Sequence, residues 1–306
     1  MQKQTNGICY VEQKYIEYVN NNADENGYSK PDFIRFFILN EKNKKITSEF
    51  INSIFIKYNL EYAISDDNMA EFEKAMVHDS YLESNLFEPK YLCEIQNIQP
   101  LGSNKSINIK DVMDLQNESY QRLEYLGDSI IRSALSTYLF KRYPSENEGF
   151  LTQLRSKLEN GLALANYSKI LGLNKFVVIS RYLEENGSRL SEVALLEDIF
   201  EAFIGALSLT NVGICFDLMT KIIEEEIDLT QLILDQTNYK EQLMGICKKR
   251  GWIFPKYTTL KTPDNGKIMS RVVCNGVLSA TGQGKTTKEA EKFAAKQILI
   301  SLSCLV

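Results

Sequence analysis

Two apolar stretches of this chain carry carboxylates that a folded helix has to accommodate, and that requirement limits the architectures open to it. In residues 195–207, LLEDIFEAFIGAL, Asp198 and Glu201 stand three apart and share one helical face. The surrounding residues are too apolar for a solvated helix, so this segment reads as buried. A carboxylate there is costly unless it is paired or bound to a cation. In residues 121–129, QRLEYLGDS, Glu124 and Asp128 stand four apart and again share a face. Plainer readings exist for both segments: a solvated acidic face, helix caps, or structural ion pairs such as Asp128 with Arg132. The apolar neighbours Leu123, Tyr125, Leu126, Ile130 and Ile131 weaken the first of these. Two such helices facing each other would present four oxygen ligands, a set suited to a hard cation and to Mg²⁺ in particular. Such a set also suits metal-assisted phosphodiester hydrolysis.

Composition removes several other chemistries. Among 306 residues there is one histidine, His78, which excludes a two-histidine metal cage. Cys9, Cys93, Cys215, Cys247, Cys274 and Cys304 are scattered with no C-x-x-C pair, so a zinc knuckle is not expected. Their spacing fits reduced thiols, and a cytoplasmic or other reducing compartment is expected. The opening MQKQTNGICYVEQKY has no basic stretch followed by an apolar one and does not read as a signal peptide. The longest uncharged window, Ala202 to Phe216, holds 15 residues. That is short of the about 20 that a membrane helix needs, so no membrane partner is expected.

The formal net charge of −5 is unevenly spread. From Asn238 onward there are twelve Lys and Arg against four Asp and Glu, a net +8, which leaves −13 on the rest. An acidic body with a basic tail points to a polyanionic partner for the tail. The residue pattern changes at the same place. Residues up to 237 show helical periodicity: a helix is expected over Met69 to Leu82, another from a cap at Asn117 or Ser119 to about Tyr143, one after Gly149, and one from about Ser191 to Leu209. Residues 88–118, with Pro89, Pro100 and Gly102-Ser103-Asn104, read as a long loop. Beyond 237, a helix over Tyr239 to Arg250 is followed by three short strands and a closing helix from Thr286 to Leu302. Asn275-Gly276 between the last two strands signals a hairpin.

The quoted motifs resemble those of the ribonuclease III family. Arg122 to Ser129, RLEYLGDS, is similar to its signature helix, and Leu196 to Leu207 to its second acidic motif. Ala75-Met76-Val77-His78-Asp79-Ser80 resembles an upstream helix end, and Glu148-Gly149 the acidic loop before the next helix. All four occur in the family's order, over about residues 70–227. The resemblance implies an all-α endonuclease domain that forms a homodimer around a valley for double-stranded RNA, with one cleavage centre per subunit. It implies that Glu124, Asp128, Asp198 and Glu201 bind metal, Mg²⁺ or Mn²⁺ in its place. Within that set Glu124, Asp198 and Glu201 are expected to hold the ion and Asp128 to orient its water. Glu148 matches an auxiliary acid. Tyr125 occupies the position that plugs into the partner at the dimer interface, with ordinary core packing as the plainer reading. His78 matches a structural position. The chain departs from the pattern at Gln121, where the family usually has an acid; glutamine keeps the hydrogen-bonding capacity without the charge, and Gln121 is expected to contact RNA.

Residues 238–306 resemble a double-stranded RNA-binding domain in element order. Lys288 matches a phosphate-binding lysine at the start of the last helix, with Lys285 and Lys292 beside it. A helix N-terminus flanked by lysines is a natural phosphate site, and such domains read A-form shape through phosphates and 2′-hydroxyls. Met244-Gly245 stands where polar residues usually meet the minor groove, and residues 261–266, KTPDNG, lack the usual histidine. Binding carried mostly by phosphate contacts and strongly dependent on salt is therefore expected. Trp252 reads as core.

The expected organisation is mainly α: an N-terminal extension of unknown role over 1–68, and a ribonuclease III endonuclease domain over 69–227 with a long insertion at about 83–119. A linker over 228–237 and a small α-β-β-β-α RNA-binding domain over 238–306 follow. The expected function is metal-dependent cleavage of double-stranded RNA to 5′-phosphate and 3′-hydroxyl ends. The rival readings are a non-catalytic RNA-binding scaffold and a suppressor of RNA silencing. The Asn, Ile and Lys content suits an AT-rich genome such as that of a large DNA virus, in which case the host cytoplasm is the expected location.

Overall fold

The computed structural model describes residues 29–83, 89–99, 105–234, 239–261 and 268–302. Described residues up to Asp228 form one compact unit, and those from Leu229 on form a second. Helices of seven residues or more are numbered below.

The first unit is helical. It contains α1 (Ser48–Lys57), α2 (Met69–Ala75), α3 (Gln121–Arg142), α4 (Glu148–Leu158), α5 (Gly161–Leu171), α6 (Val193–Thr210) and α7 (Val212–Glu226). Asparagines placed just ahead of the helices set several of their starts. Oδ1 of Asn147 accepts the Phe150 amide at 3.0 Å, that of Asn160 accepts Ala163 at 3.1 Å, and that of Asn211 accepts Gly213 at 2.9 Å. Gly172, at φ 78°, closes α5 in the left-handed conformation. The most apolar segment, α6, runs through the core: Leu196, Ile199, Phe200, Ala202, Phe203, Ile204, Ala206 and Leu207 are fully buried. It packs against α2, α3, α5 and α7.

Residues 39–58, read from sequence as part of an extension, are built into this unit. Nδ2 of both Asn40 and Asn43 donates to the Ile179 carbonyl, at 3.0 and 2.9 Å. The buried Arg181 donates to the Leu39 carbonyl at 3.1 Å and pairs with Glu41 at 2.5 Å. Lys57 and the Tyr58 hydroxyl both reach Glu226 at the end of α7, at 2.7 and 3.0 Å.

Local structure differs from the sequence reading in three places. The helix expected over Met69 to Leu82 stops at Ala75, and a separate 3-10 turn covers Asp79–Tyr81. Backbone bonds to Val178 pull this stretch out of the helix: Val178 donates to the Met76 carbonyl at 2.8 Å and accepts from the His78 amide at 3.0 Å. The expected loop over 88–118 holds a helix at Pro89–Glu94 and an antiparallel ribbon of β1 (Asn97–Ile98) and β2 (Ile107–Asn108). Elements this short show no readable period. Residues 100–104 of that loop lie outside the described residues. Finally, α3 starts at Gln121 with Tyr120 as its N-cap, and neither Asn117 nor Ser119 caps it. The Tyr120 side chain makes no cap and is committed elsewhere.

The second unit begins with a short helix, Leu229–Leu234, inside the segment read as a linker; residues 235–238 are outside the described set. The rest is α8 (Tyr239–Lys249), β3 (Lys256–Lys261), β4 (Ile268–Cys274), β5 (Leu278–Gly284) and α9 (Thr287–Ser301). The strands form an antiparallel sheet in the order β3-β4-β5. Asn275 and Gly276, at φ 52° and 70°, make the tight turn between β4 and β5. Leu243 and Cys247 of α8 meet Val272 and Cys274 of β4 and Ala294, Ala295, Ile298 and Leu299 of α9 in one core, with Trp252 packed against it. The strand loop at 262–267, where a histidine is missing from the expected pattern, lies outside the described residues. Among the described residues of both units, no helix is long and apolar enough to cross a membrane.

Candidate metal centre and RNA-binding surface

Two glycines set the geometry of the acidic site. A Cβ on Gly127 of α3 would collide with the Glu201 carbonyl oxygen, and one on Gly205 of α6 would collide with the Leu123 carbonyl oxygen. The two acidic helices therefore touch backbone to backbone. Glu124, four residues into α3, is brought against Asp198 and Glu201 of α6. Ligand oxygens from these three residues lie within 4.8 Å of one another.

Burial and crowding give this cluster unusual protonation. Loss of solvent, and then the neighbouring acids, push Glu201 up to about 8, Glu124 to about 7 and Asp198 to about 6. Among the described residues no Lys or Arg pairs with any of the three. The donors are all carboxylate oxygens, gathered from two helices and uncompensated by protein cations. That set fits a hard divalent cation, which would restore the ionised state of all three.

Asp198 is held from the side by Tyr120, whose hydroxyl donates to Oδ2 at 2.9 Å. Tyr120 is buried, and its ring lies 5.8 Å from that of His78. Burial first, then the Asp198 charge, push its hydroxyl well above the ordinary tyrosine range, so it stays a donor. His78 itself has a local role: Nδ1 accepts the Ser80 amide at 3.0 Å and lies 2.9 Å from Ser80 Oγ. Burial lowers its pKa, which suits a neutral hydrogen-bonding residue.

The remaining acids stand further out. Asp128 is not part of the three-carboxylate cluster. It is half exposed and paired with Arg132 at 3.1 Å, the partner four residues on that its sequence position allows. Its charge is nevertheless the leading one acting on Glu201. Glu148 is exposed at the start of α4 and accepts the Thr152 hydroxyl at 2.9 Å. Gln121, expected as an RNA contact, donates its amide to Asp79 Oδ2 at 2.5 Å. Two residues of this neighbourhood were not singled out by the sequence: Tyr120, which lies in no quoted motif, and Asp79, which stands in the upstream motif without a role of its own. The one signal for Tyr120 is its place directly before the acidic helix.

Tyr125 projects from α3 with 80% of its surface exposed, so core packing is not its role. It stands beside a recess lined by Leu82, Leu123, Leu126, Leu209, Glu118 and Arg122.

In the second unit, Thr286 caps α9 by accepting the Glu289 amide at 3.2 Å. Lys285 and Lys288 are exposed at that helix start, and Lys292 is half-buried about one turn on. None of the three is ion-paired among the described residues. Other bases are committed: Lys240 pairs with Glu291 at 2.6 Å, and Arg250 stacks over Trp252 at 4.9 Å. Met244 is 48% exposed on α8.

The first unit is thus a mainly helical domain with a three-carboxylate centre, and the second an α-β-β-β-α module with lysines free of ion pairs, among the described residues, at a helix start. Together they define a two-domain nucleic-acid enzyme. Residues 121–212 match the model of the ribonuclease III domain, and residues 239–302 match that of the double-stranded RNA binding motif. A protein described as ribonuclease 3 from Bacillus cereus (strain G9842) is 34% identical over 189 residues, covering 60% of this chain and 76% of that protein. A probable ribonuclease 3 of Acanthamoeba polyphaga mimivirus is 31% identical over 265 residues, covering 85% of this chain but only 46% of the viral protein. The chain thus spans about half the length of that relative. The solved nuclease domain of ribonuclease III from Campylobacter jejuni is 24% identical, with a TM-score of 0.42, over 58% of this chain and 98% of that one. The chain belongs to the ribonuclease III family, endoribonucleases that act on double-stranded RNA.

Proposed function

We propose that this protein uses Mg²⁺, with Mn²⁺ as a substitute, to hydrolyse double-stranded RNA to 5′-phosphate and 3′-hydroxyl ends. The observation that carries this reading is the convergence of Glu124, Asp198 and Glu201, with no ion-pair partner for any of them among the described residues. These three residues would hold the ion, and Tyr120 fixes the orientation of Asp198. A divalent cation bound there supplies a water of lowered pKa and polarises the scissile phosphate. Asp128, whose charge bears on Glu201, would orient the attacking water, and Glu148 would act from the rim. Lys285, Lys288 and Lys292 grip the duplex phosphates.

The working form in this reading is a homodimer formed through the endonuclease domain. Tyr125 is exposed next to a recess lined by leucines and rimmed by charged residues, an arrangement in which each copy can offer a plug and a socket. A reducing, cytoplasm-like compartment suits the free thiols at Cys93, Cys215, Cys247 and Cys274. Incubation with long duplex RNA, with Mg²⁺ or with chelator, followed by analysis of the product ends, tests the reading. Products that carry 5′-phosphate and 3′-hydroxyl only when Mg²⁺ is present are expected. Duplex binding without turnover would favour a non-catalytic scaffold.

A further inference from the structure

Asp79 is an acid with no local structural duty. It opens the 3-10 turn Asp79–Tyr81, yet the N-cap of that turn is His78, whose Nδ1 accepts the Ser80 amide. One oxygen of Asp79, Oδ2, accepts the Gln121 amide at 2.5 Å. The other, Oδ1, is buried and has no hydrogen-bond partner among the described residues. A buried carboxylate oxygen left without a donor is costly, and native structures retain such groups where something outside the protein satisfies them.

The position of Asp79 says what that is. The Tyr120 amide donates to the Val77 carbonyl at 2.9 Å, which lays the stretch leading into Asp79 against the start of α3. Tyr120 and Gln121 are consecutive, and each donates from its side chain to one carboxylate: Tyr120 to Asp198 and Gln121 to Asp79. The two donors stand side by side at the start of α3, one turn ahead of Glu124, and each holds one acid. Consistent with this placement, the Asp79 charge acts on Glu124, Asp198 and Tyr120, and on Glu124 it ranks ahead of those of Glu197 and Asp128.

We propose that Asp79, tethered by Gln121, is an outer acidic residue of the metal centre whose buried Oδ1 accepts a hydrogen bond from the ion's hydration shell. Mg²⁺ sites keep several waters, and each needs an acceptor beyond the direct ligands. Asp79 is a positioning residue in this scheme: it fixes a water without touching the ion. The amide at position 121 follows from the same arrangement, because a second carboxylate there would face Asp79 with like charge and no donor between them.

This inference rests on the metal-centre reading above, and one titration separates the two. Mn²⁺ alone, without RNA, is titrated into the full chain and followed by electron paramagnetic resonance for the wild type, Glu201→Gln, Asp79→Asn and Gln121→Leu. Loss of an outer-shell partner typically weakens metal affinity about 10- to 100-fold, and Asp79→Asn is expected near the lower end. Gln121→Leu alters an exposed position and leaves the charge on Asp79, so a smaller loss of about threefold is expected with folding intact. Unchanged Mn²⁺ affinity in Gln121→Leu, or in a folded Asp79→Asn, overturns the proposal while Glu201→Gln still loses binding. A wild type that binds no Mn²⁺ overturns the metal-centre reading and this inference with it.

Discussion

Gly127 faces the carbonyl oxygen of Glu201 with no room for a side chain between them, and Gly205 faces Leu123 in the same way. This reciprocal contact is what brings carboxylates from two helices into one cluster. Gly127→Ala or Gly205→Ala is expected to force α3 and α6 apart. Overpacking of this kind costs about 1–3 kcal/mol, and the contact here is with backbone that has little freedom to yield. Thermal unfolding should show the loss, and Mn²⁺ binding should fall in the variants that still fold. Unfolding temperature and Mn²⁺ affinity both equal to wild type would show that the contact is not decisive.

Tyr120→Phe removes the hydroxyl that holds Asp198 while keeping the ring that packs beside His78. The unfolding temperature should change little. Metal affinity should drop about 10-fold, as for other losses of a second partner behind a ligand. Calorimetric titration with Mn²⁺ separates the two effects.

The raised carboxylates give the metal-free protein a definite pH response. Glu201, Glu124 and Asp198 titrate near 8, 7 and 6 in the fold, above the ordinary range they regain when unfolded. Between these limits the folded state holds more protons than the unfolded state, so stability falls as pH rises. In chelator, the unfolding temperature should therefore decline from about pH 5 to about pH 8. A divalent cation removes the penalty, so its stabilising effect should grow over the same range. Melting curves at several pH values, with and without Mg²⁺, check both trends. A metal-induced gain that shrinks toward pH 8 would contradict the cluster's role.

Lys285, Lys288 and Lys292 have no ion-pair partner among the described residues, unlike Lys240. Replacing any of the first three by Ala should weaken duplex binding and reduce the slope of log affinity against log salt by about 1. Filter binding across a range of salt, in chelator to prevent cleavage, measures this. Unchanged slopes would place the duplex grip elsewhere.

Much of the site was legible because its chemistry repeats at helical spacing. Glu124 and Asp128 stand four apart and Asp198 and Glu201 three apart inside apolar runs, and the glycines that join the two helices fall within the same runs. The α-β-β-β-α order of the tail was equally plain, because Asn275-Gly276 and Gly251 punctuate it. Asp128 was less legible: its spacing fits both a site acid and a partner for Arg132, and in the fold it pairs with Arg132 while its charge still bears on Glu201. Tyr120 and Asp79 were hidden because their roles depend on contacts across 78 and 42 residues of sequence. The stretch 39–58 was hidden for a similar reason. Asn40, Asn43 and Tyr58 bond to residues near 179 and 226, and no local pattern announces such pairings.

The most direct test of the account is the single-turnover rate at which saturating enzyme cuts end-labelled duplex RNA in Mg²⁺, compared with Glu201→Gln. Glu201 is the most buried acid of the cluster, and its backbone carbonyl packs against Gly127 of α3. The variant is expected to bind the duplex as tightly as wild type and to cut it more slowly by well over the about 10- to 100-fold that the loss of a partner behind a metal ligand costs. A Glu201→Gln enzyme that cuts at the wild-type rate would contradict the account.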